Sequence, residues 1–554
     1  MTELNWGEDG ELRISGALPA GVPASAAADC LLVLRHLDGW DIRTVRPHLD
    51  GGSFSAAIPV GAMEVFGARL PLRDGQWELS LRAAGAQVGI GPVGAGPVGA
   101  GPVRTGPVGT APVGTAPVGI GPAGTGAVDT GPVVMDGRRV SIGRKVYRCS
   151  AGPGGAGIRL VVGPALGVTE RGRIRRRLLR DIYYRLQRLL PVRNQLLLSS
   201  FHGKQCADNP RGIADELRRR GDRRKNIWAI NDWSVPVPEE ASAVLIGTRA
   251  YFAALARSRY LVYNDHVPRP YRKRRGQRYV QTWHGTPLKR IGYDIGEPAM
   301  ASGRRYLDYM AADVAQWDML LSPNPFSTPI MRRAFRFAGE IAETGYPRDD
   351  ALVTAAAAGD PATAVRERLG LPPGKRVAMY VPTWRDNQHD ASGRYLLDFR
   401  LDLAAASRRL GAEWVLLIRG HHLMAGGIPA ATIPEFTFDV TGYPDIGDLL
   451  LVTDVLVTDY SSVMFDFAPT SRPMLFFTYD LEQYRDQIRG FCFDFEAEAP
   501  GPLLATSSDV VAALADIDSV AAKYHQAAAA FAARFCPLDD GKAAARACDR
   551  IFGS

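Results

Sequence analysis

Two histidines occupy positions in this sequence where an imidazole could act on a bound phosphate. His284 lies in the segment 281–289, where an aromatic approach leads into a Gly-Thr-Pro turn that cations follow. His421 ends a second apolar run, directly after an arginine and a glycine. Imidazole has an unperturbed pKa near working pH, so each histidine could be a general base or a donor to phosphate. The two segments together predict one site formed by two parts of the chain, each of which contributes a histidine.

The neighbours of His284 argue against an ordinary core or surface histidine. Gly285 allows close approach of the backbone to a ligand, and Thr286 adds a hydrogen-bond donor. His421, by contrast, is followed directly by His422. Alternation along an extended segment would send those two imidazoles in opposite directions. The turn after His284 is therefore predicted to hold a phosphate beside a titratable base.

Strands of parallel sheets would position these residues. In open parallel sheets, ligands bind beyond the carboxyl ends of the strands, so the residues directly after each apolar run matter most. Three adjacent strand ends are therefore predicted to direct a phosphate-type ligand into one crevice. Their small or polar residues are Pro382-Thr383, Arg419-Gly420 and Thr458-Asp459-Tyr460-Ser461-Ser462.

The pair Ser461 and Ser462 is predicted to begin a helix over 463–467. The free N–H groups and the dipole at such a helix start favour an anion, and a pyrophosphate fits there. Asp466 lies one turn along, where its carboxylate could accept ribose hydroxyls. A serine N-cap followed by an ordinary helical aspartate would give the same pattern.

Alternating strands and helices from residue 195 predict an α/β fold with two Rossmann-like domains facing a cleft. The first domain, residues 195–370, opens with a strand, a helix with proline near its first turn, and another strand. It carries His284. The second domain, residues 371–554, carries the three strand ends.

Residues 1–165 are predicted to form a small β-rich domain, because short β-like runs alternate with Gly, Pro and Asp. A degenerate Gly-Pro-Val pentapeptide repeat occupies about residues 91–131. Collagen requires glycine at every third residue, which this period of five does not provide. The β pattern resumes after the repeat, so we interpret the repeat as an insertion within one domain.

Residues 166–194 are predicted to form a basic amphipathic helix. Arginines crowd the stretch from Arg171 to Arg188, with Asp181 as the only acid. Such a helix could dock on an anionic membrane surface, where each cation contributes about 1 kcal/mol near the lipid. A solvated helix between domains would show the same pattern. The apolar positions at helical spacing are Ile174, Leu178, Ile182, Leu186, Leu189 and Leu190.

The composition is ordinary for a soluble globular protein, with 46% hydrophobic and 22% charged residues among 554. No apolar run approaches the ~20 residues of a membrane span, and the acidic N-terminus does not resemble a secretory signal. We therefore expect a cytoplasmic location. The six cysteines show no CxxC pair or metal-type spacing, so neither a disulfide framework nor a metal is indicated, and no cofactor is expected.

Five short motifs follow one another in the α/β part of the sequence. They are Thr282-Trp283-His284-Gly285-Thr286-Pro287-Leu288-Lys289, Gly345-Tyr346-Pro347-Arg348-Asp349, Tyr380-Val381-Pro382-Thr383-Trp384-Arg385, Arg419-Gly420-His421 and Thr458-Asp459-Tyr460-Ser461-Ser462-Val463-Met464-Phe465-Asp466. As an ordered set they resemble the CDP-glycerol:poly(glycerophosphate) glycerophosphotransferase family, the teichoic acid polymerases and primases. The similarity spans about residues 195–545.

This resemblance implies a GT-B-like pair of domains that transfers a polyol phosphate from a CDP-polyol to a hydroxyl of a lipid-linked wall polymer, releasing CMP. The first domain would be the acceptor side, and the second would bind the CDP-polyol donor. It also implies a peripheral protein on the inner face of the cell membrane, docked by the arginine helix. His284 and His421 would be the catalytic pair, one as base and the other as stabiliser of the phosphate and leaving group. We assign the base to His284, and reversed roles are also consistent. Substrate contacts would fall to Trp283, Gly285, Thr286, Pro287, Arg348, Pro382, Thr383, Arg419, Gly420, Ser461, Ser462 and Asp466.

Other functions share parts of this pattern. A GT-B glycosyltransferase would keep the fold and use a nucleotide sugar, and a ribitolphosphotransferase would use CDP-ribitol. A membrane-associated scaffold would need the basic helix but not the histidines. A nucleic-acid binder is disfavoured, because the arginine helix lacks stacking aromatics beyond Tyr183 and Tyr184. The choice of polyol, priming against polymerisation, and the oligomeric state stay open.

Overall fold

The computed structural model divides the chain into two compact units, Met1–Glu64 with Arg69–Ala165 and Val65–Ala68 with Leu166–Ser554. His421 and the predicted repeat at 91–131 lie outside the described residues. The structure describes residues 2–18, 30–37, 41–50, 52–83, 86–89, 133–135, 137–151, 158–295, 301–354, 361–383, 399–420, 433–488 and 490–553.

The first unit is built from strands around one core, and their pairings are antiparallel except for that of Thr2–Trp6 with Val133–Met135. Inward and outward positions alternate, as in Leu12–Ala17, where Leu12 and Ile14 are buried and Arg13 is exposed. Trp77 and Tyr147 are among its fully buried side chains. The strands are β1 Thr2–Trp6, β2 Leu12–Ala17, β3 Leu31–His36, β4 Ile42–Val45, β5 His48–Asp50, β6 Ser53–Ile58, β7 Met63–Val65, β8 Ala68–Leu70, β9 Gly75–Ala83, β10 Ala86–Gly89, β11 Val133–Met135, β12 Arg139–Ile142, β13 Lys145–Ala151 and β14 Ile158–Pro164.

Two sheets share this core, with strand orders β11-β1-β2-β6-β5 and β12-β13-β14-β9-β3-β4. Strands that follow the repeat in sequence pair with strands that precede it, β11 with β1 and β14 with β9. The segment between β10 and β11 is therefore an insertion within one β unit. The predicted β-rich N-terminal region is confirmed.

The second unit begins with a helical segment and a seven-stranded sheet of order β17-β16-β15-β18-β19-β20-β21, parallel throughout. Leu196, Leu197 and Leu198 are fully buried, as expected for a strand covered on both faces. The elements are α1 Arg173–Leu178, α2 Tyr184–Gln187, β15 Arg193–Ser199, α3 Asp208–Arg219, β16 Lys225–Ile230, β17 Ser242–Leu245, α4 Arg249–Arg257, β18 Ser258–Tyr263, β19 Arg278–Gln281, α5 Ala301–Val314, β20 Met319–Ser322, α6 Ser327–Phe335, β21 Glu340–Glu343, α7 Asp350–Thr354 and α8 Pro361–Leu369.

A six-stranded parallel sheet of order β24-β23-β22-β25-β26-β27 follows. The predicted α/β fold with parallel sheets is thereby confirmed. The elements are β22 Arg376–Val381, α9 Leu403–Leu410, β23 Trp414–Ile418, β24 Thr437–Asp439, α10 Ile446–Val452, β25 Val455–Thr458, α11 Val463–Phe467, β26 Met474–Phe477, α12 Leu481–Gln483, α13 Phe495–Glu498, β27 Leu503–Leu504, α14 Ser507–Ala515, α15 Ile517–Phe535 and α16 Ala543–Phe552.

The last helix returns to the first sheet. Ala547, Cys548 and Ile551 of α16 are buried in one cluster with Leu196 and Leu198 of β15. The chain therefore closes the second unit by crossing from the second sheet back to the first.

The arginine-rich segment is helical, but it is not a uniform α-helix. A π-helical turn, Leu179–Tyr183, separates α1 from α2. Leu179 and Tyr184 are buried against the first sheet's layer, whereas the predicted apolar positions are exposed. Among the described helices, none has the length and apolar character to cross a membrane.

Candidate active site

Three neighbouring strand ends meet at the carboxyl edge of the first sheet. β15 pairs in parallel with β18, and β18 pairs in parallel with β19. A tight turn, Phe201–Gly203, follows β15, residues 264–266 follow β18, and residues 282–284 follow β19. Because the strands are parallel, these polar segments emerge side by side.

His284 is oriented by a hydrogen bond from its ring to the backbone. Its Nδ1 lies 2.7 Å from the carbonyl oxygen of Asn264. A carbonyl oxygen only accepts, so Nδ1 carries the proton and Nε2 of the neutral ring presents a lone pair. The ring stacks on Trp283 with 4.3 Å between centroids and lies 5.8 Å from the ring of Phe201. His284 is thus arranged as a proton acceptor.

Burial lowers the pKa of His284 below its ordinary value, and the hydrogen bond with Asn264 offsets part of this shift. The charge of Asp208 also raises the pKa of His284, whereas the charges of Arg348 and His266 lower it. The net direction favours a neutral imidazole near pH 7. A general base requires that protonation state.

The turn after His284 touches the half of the unit that contains the second sheet. A Cβ added to Gly285 would lie 2.9 Å from Oγ of Ser462, so glycine permits this close approach. The carbonyl oxygen of Gly285 accepts a hydrogen bond from the Tyr346 hydroxyl at 3.2 Å. Trp283 adopts a left-handed φ of 53°, and its ring packs against Phe335. Predicted site residues from both halves therefore meet here.

The same turn continues along the second half. Thr286 and Pro287 are buried. The Cys492 backbone N–H donates to the carbonyl oxygen of Leu288 at 2.8 Å, and Lys289 Nζ lies 5.1 Å from the centroid of the Tyr484 ring. These contacts fix the position of the His284 turn relative to the second sheet.

Arg348 joins the two halves through a pair of carboxylates. Its Nη1 lies 2.6 Å from Oδ2 of Asp208, and its Nη2 lies 2.6 Å from Oδ1 of Asp466. Asp208 is the first residue of α3, whereas Asp466 belongs to α11. The positive charge of Arg348 is thus balanced within the protein. The phosphate role of Arg348 and the ribose role of Asp466 stay predictions.

Carboxylates outnumber cations around Arg348. Burial raises the pKa of Asp466, Asp349 and Asp539, the last to about 7, and repulsion from Asp466 adds to the shifts of the other two. Burial would lower the pKa of Arg348, but the carboxylates of Asp466 and Asp208 hold it well above its ordinary value. The guanidinium therefore stays charged, and Asp208 and Asp466 bind different nitrogens of it.

Arg419 is anchored at the end of β23. Its Nη1 donates to the carbonyl oxygens of Val440 and Tyr443, at 3.1 and 2.9 Å. Burial lowers the pKa of Arg419 to about 10, and the charges of Asp445 and Asp439 oppose that shift. The backbone N–H of Gly420 donates to Oγ1 of Thr441 at 2.9 Å. The backbone at this strand end is therefore held in place, and His421 lies just beyond it, outside the described residues.

The ends of β22 and β25 are tied together by Asp459. Its Oδ1 accepts hydrogen bonds from the backbone N–H groups of Thr383, at 3.0 Å, and Tyr460, at 2.7 Å. Pro382 and Thr383 follow β22 directly, as predicted. The Ser461 Oγ accepts from the backbone N–H of Val463 at 3.4 Å and so begins α11. The structure thus brings the predicted strand-end residues to one edge.

A cleft with about 330 Å³ of empty space, part of it open to solvent, lies between the halves. Phe201, Asp208 and Arg348 line it from the first half, and Asp445 and Asp466 line it from the second. Burial raises the pKa of Asp445 to about 6, with repulsion from Asp448 in the same direction. The cleft is therefore rich in carboxylates. Of those named here, the sequence analysis predicted only Asp466 as a site residue.

Known proteins match the part of the chain that forms this cleft. Residues 182–553 fit the family model described as CDP-glycerol:poly(glycerophosphate) glycerophosphotransferase. The chain belongs to this family. The predicted resemblance is confirmed, and the protein is a transferase of the glycerophosphotransferase type.

Two relatives are named for glycerol phosphate. A teichoic acid glycerol-phosphate transferase of Staphylococcus aureus is 37% identical over 374 residues, covering 67% of this chain and 95% of that protein. A teichoic acid poly(glycerol phosphate) polymerase of Bacillus subtilis is 38% identical over 377 residues, covering 67% of this chain. The match spans 50% of that polymerase's own length.

A solved structure of the wall teichoic acid polymerase TagF resembles this chain with a TM-score of 0.63 and 33% identity. The match covers 68% of this chain and 95% of the TagF chain. It supports the GT-B-like arrangement that the sequence resemblance implied for the glycerophosphotransferase region. The family region begins at residue 182 and so leaves the β unit outside it.

Sequence reasoning missed several polar residues of this glycerophosphotransferase site. His202 follows β15, and Asn264, Asp265 and His266 follow β18. His266 is buried with its Nδ1 3.0 Å from Oδ2 of Asp313. The rule that identified the strand ends of the second sheet, applied to the first, would have found these residues. The sequence gives no comparable signal for Asp208, because the role of Asp208 depends on its ion pair with Arg348.

Across the described ranges, no group of three or more His, Cys, Asp or Glu side chains has the arrangement of a metal site. Protein cations and the N–H groups at a helix start can neutralise a phosphate.

Proposed function

We propose that this chain transfers glycerol phosphate from CDP-glycerol to a hydroxyl of a lipid-linked teichoic-acid-type polymer. The acceptor oxygen forms a bond to the β-phosphorus of CDP-glycerol. The bond from that phosphorus to the bridging oxygen breaks, and CMP leaves with the electron pair. The proton of the acceptor hydroxyl passes to Nε2 of His284. Glycerol is the preferred polyol because the two relatives above are named for glycerol phosphate.

The orientation of His284 carries this proposal. Its Nδ1 proton is committed to the Asn264 carbonyl oxygen at 2.7 Å, and this leaves Nε2 as the basic atom. Phosphoryl transfer depends mainly on positioning and charge neutralisation, so a correctly placed base and a fixed anion site are the main requirements. The approach of Gly285 to Ser462 supports a base next to the start of α11.

The donor diphosphate is proposed to lie along the edge of the second sheet. Ser461 and Ser462 would supply hydrogen bonds, and Arg419 would supply charge. Thr383 and Gly420, whose backbone N–H groups donate to Asp459 and Thr441, would line this edge. His421, which follows Gly420, is proposed to stabilise the leaving CMP. This role rests on the family resemblance and on its place after β23.

The arginine-rich segment is proposed to dock on the cytoplasmic face of an anionic membrane. Ile174 and Leu189 expose 78% and 80% of their surface, and Leu178, Ile182 and Leu186 are also exposed. Arginines flank these apolar side chains, which is the composition of an interfacial helix. The loop at 269–275 adds cations to this surface, since the Arg272 N–H donates to the Tyr184 hydroxyl at 3.2 Å and Arg274 Nη1 to the Leu190 carbonyl oxygen at 2.9 Å.

Donor profiling tests the reaction. Purified full-length protein is incubated with a glycerol-phosphate-terminated acceptor and labelled CDP-glycerol, CDP-ribitol or a UDP-sugar, and label in the acceptor is measured. We expect incorporation from CDP-glycerol above all others. Preferred use of CDP-ribitol would change the polyol and keep the mechanism. Incorporation only from the nucleotide sugar would refute the proposal in favour of a glycosyltransferase.

Vesicle sedimentation tests the membrane role. The wild type should sediment with vesicles of anionic phospholipid and stay in solution with zwitterionic vesicles. Replacing Arg173, Arg176 and Arg177 by Gln should weaken binding about a hundredfold, since each cation contributes about 1 kcal/mol. Replacing the equally exposed Arg408 and Arg409, which lie in α9, serves as the control. Equal binding by both variants would refute docking by this segment.

A further inference from the structure

His202 lies in a strained backbone turn whose Phe201 ring is 5.8 Å from the ring of His284. Phe201, His202 and Gly203 have φ values of 49°, 56° and 77°, three successive residues in the left-handed region. Residues with a Cβ avoid this region, and runs of them persist where surrounding contacts impose the conformation. Such strain concentrates at functional sites, so this turn is a candidate functional element.

The contacts that impose this turn come from Asn264 and Asp265. Oδ1 of Asn264 accepts from the backbone N–H of Phe201 at 2.8 Å, and Oδ2 of Asp265 accepts from the backbone N–H of His202. The His202 ring is held as well, with Nδ1 3.1 Å from the same Oδ2. The carbonyl oxygen of Asn264 also holds His284. One dipeptide therefore positions two imidazoles.

The two imidazoles differ in exposure. His202 leaves 56% of its side chain exposed, whereas the Asp265 carboxylate that holds it is 8% exposed. The proximity of His284 and His266 contributes, after burial, to lowering the pKa of His202. Burial raises the pKa of Asp265 to about 7. When Asp265 is ionised beside Nδ1, the neutral ring of His202 keeps its proton there and presents Nε2 as a hydrogen-bond acceptor. The segment around His202 lines the cleft through Phe201, Gln205 and Asp208.

Two buried polar atoms next to this turn are also unpaired. Within the described ranges, Asn264 Nδ2 and Asp265 Oδ1 have no hydrogen-bond partner, although the residues are 0% and 6% exposed. Buried polar atoms normally find partners, and unpaired ones are typical of sites that receive a polar group or a water. The turn therefore has the features of a binding site rather than of a simple strand connection.

We propose that His202 is an acceptor-binding residue whose Nε2 accepts a hydrogen bond from the hydroxyl adjacent to the one that His284 deprotonates. The site then takes an acceptor end with two neighbouring hydroxyls, and Asp265 is the positioning residue for His202. This inference rests on the proposed transfer to a polyol. A glycerol phosphate unit linked through its phosphate ends in such a vicinal diol, and the two imidazoles positioned by Asn264 and Asp265 offer one acceptor nitrogen for each hydroxyl.

The test compares two soluble acceptors that differ by one hydroxyl. One ends in glycerol phosphate, and the other ends in propane-1,3-diol phosphate, which lacks the secondary hydroxyl. Acceptor KM is measured by CMP release from CDP-glycerol, and acceptor binding is measured separately by calorimetry. The variants are His202→Gly, which suits the left-handed backbone, and His202→Asn, which tolerates it. The matched control is His525→Ala, an exposed histidine of α15.

We expect the wild type to prefer the acceptor that ends in glycerol phosphate by about three- to tenfold, which is the contribution of one hydrogen bond between neutral groups. Both His202 variants should lose that preference, because KM should rise only for the acceptor that ends in glycerol phosphate. KM for CDP-glycerol should stay unchanged. A preference that survives in both variants, or an equal loss with both acceptors, would overturn the inference.

Calorimetry separates this inference from the proposed function. If the wild type releases no CMP from CDP-glycerol, the proposed reaction is wrong. The role of His202 would still be supported if the wild type bound the diol acceptor more tightly and His202→Gly abolished the difference. Equal binding of both acceptors by the wild type would refute the role of His202 independently of turnover.

Discussion

The two sheets of the catalytic unit meet at one cleft but present different chemistry there. The described edge of the first sheet carries imidazoles, His202, His266 and His284, each held through Nδ1 by a carbonyl or carboxylate oxygen. The described edge of the second sheet carries a helix start and the anchored guanidinium of Arg419. The first half is thus suited to handling a proton, and the second to fixing an anion.

This difference explains why the residues between the halves matter. Arg348 and Gly285 have no proposed part in proton transfer, yet their contacts fix the position of the proposed base relative to the proposed anion site. Arg348 joins Asp208 of the first half to Asp466 of the second, and Gly285 lets the His284 turn approach Ser462. Variants at the base, at the ion pairs and at the close contact should therefore have distinct signatures.

The largest effect is expected at the base. His284→Ala should lower kcat by about 10²- to 10⁴-fold, the usual contribution of general base catalysis, while CDP-glycerol binding stays unchanged. CMP release and donor calorimetry measure the two quantities. His525→Ala is the control, since this exposed histidine lies in α15. A loss of donor affinity without a loss of kcat would move His284 from catalysis to binding and break the proposed division between the halves.

Arg348 should have the largest effect on stability. Arg348→Met leaves two buried carboxylates unpaired, so the free energy of unfolding should fall by about 3–5 kcal/mol. Arg333→Met is the matched control, because the Arg333–Asp294 ion pair has 65% of its arginine exposed and should contribute about 1 kcal/mol or less. Urea unfolding measures both. A stable Arg348→Met variant with weakened CDP-glycerol binding would instead support the predicted phosphate contact.

The close contact between the halves should give an intermediate effect. Gly285→Val places atoms against Ser462 and should cost about 1–3 kcal/mol of stability, as overpacking usually does. Because the added side chain meets the serine, Ser462→Ala in the same chain should relieve part of that cost. A double-mutant cycle in urea measures the coupling between the two sites. Strict additivity would show that the halves do not meet at this point.

The smallest effect is expected in the pH profile. His284 must be neutral to accept a proton, and burial lowers its pKa, so protonation inactivates it only at lower pH. The acid limb of kcat/KM for the acceptor should therefore have its midpoint below about 6.5, the ordinary histidine value. A pH titration of CMP release measures this limb. A midpoint above that value would show a charged imidazole at neutral pH and would favour His284 as a donor to phosphate.

The sequence predicted the parallel strands well because buried strands read as continuous apolar runs. Arg376–Val381 and Trp414–Ile418 are such runs, and they are buried over most or all of their length. The residues that follow them were identified because ligands bind at strand ends. The π-helical turn at Leu179–Tyr183 has no comparable sequence signature, because a helical turn with one additional residue can form within the same arginine-rich pattern.

The pairings of the site were beyond the reach of sequence patterns. Arg348 contacts Asp208 and Asp466, which are 140 and 118 residues away, and no local spacing connects them. The tautomer of His284 depends on a carbonyl oxygen, that of Asn264, which any residue type would supply. Sequence could therefore indicate which residues gather at the cleft, but not which charges are balanced there.

Acceptor-dependent CMP release tests the central claim most directly. Full-length protein and CDP-glycerol are mixed with and without a glycerol-phosphate-terminated acceptor, with His284→Ala run in parallel. The account predicts rapid CMP release by the wild type only when acceptor is present, and loss of that release in His284→Ala despite normal binding of CDP-glycerol. Unchanged acceptor-dependent release in His284→Ala would contradict it, because the proton would then pass to another group.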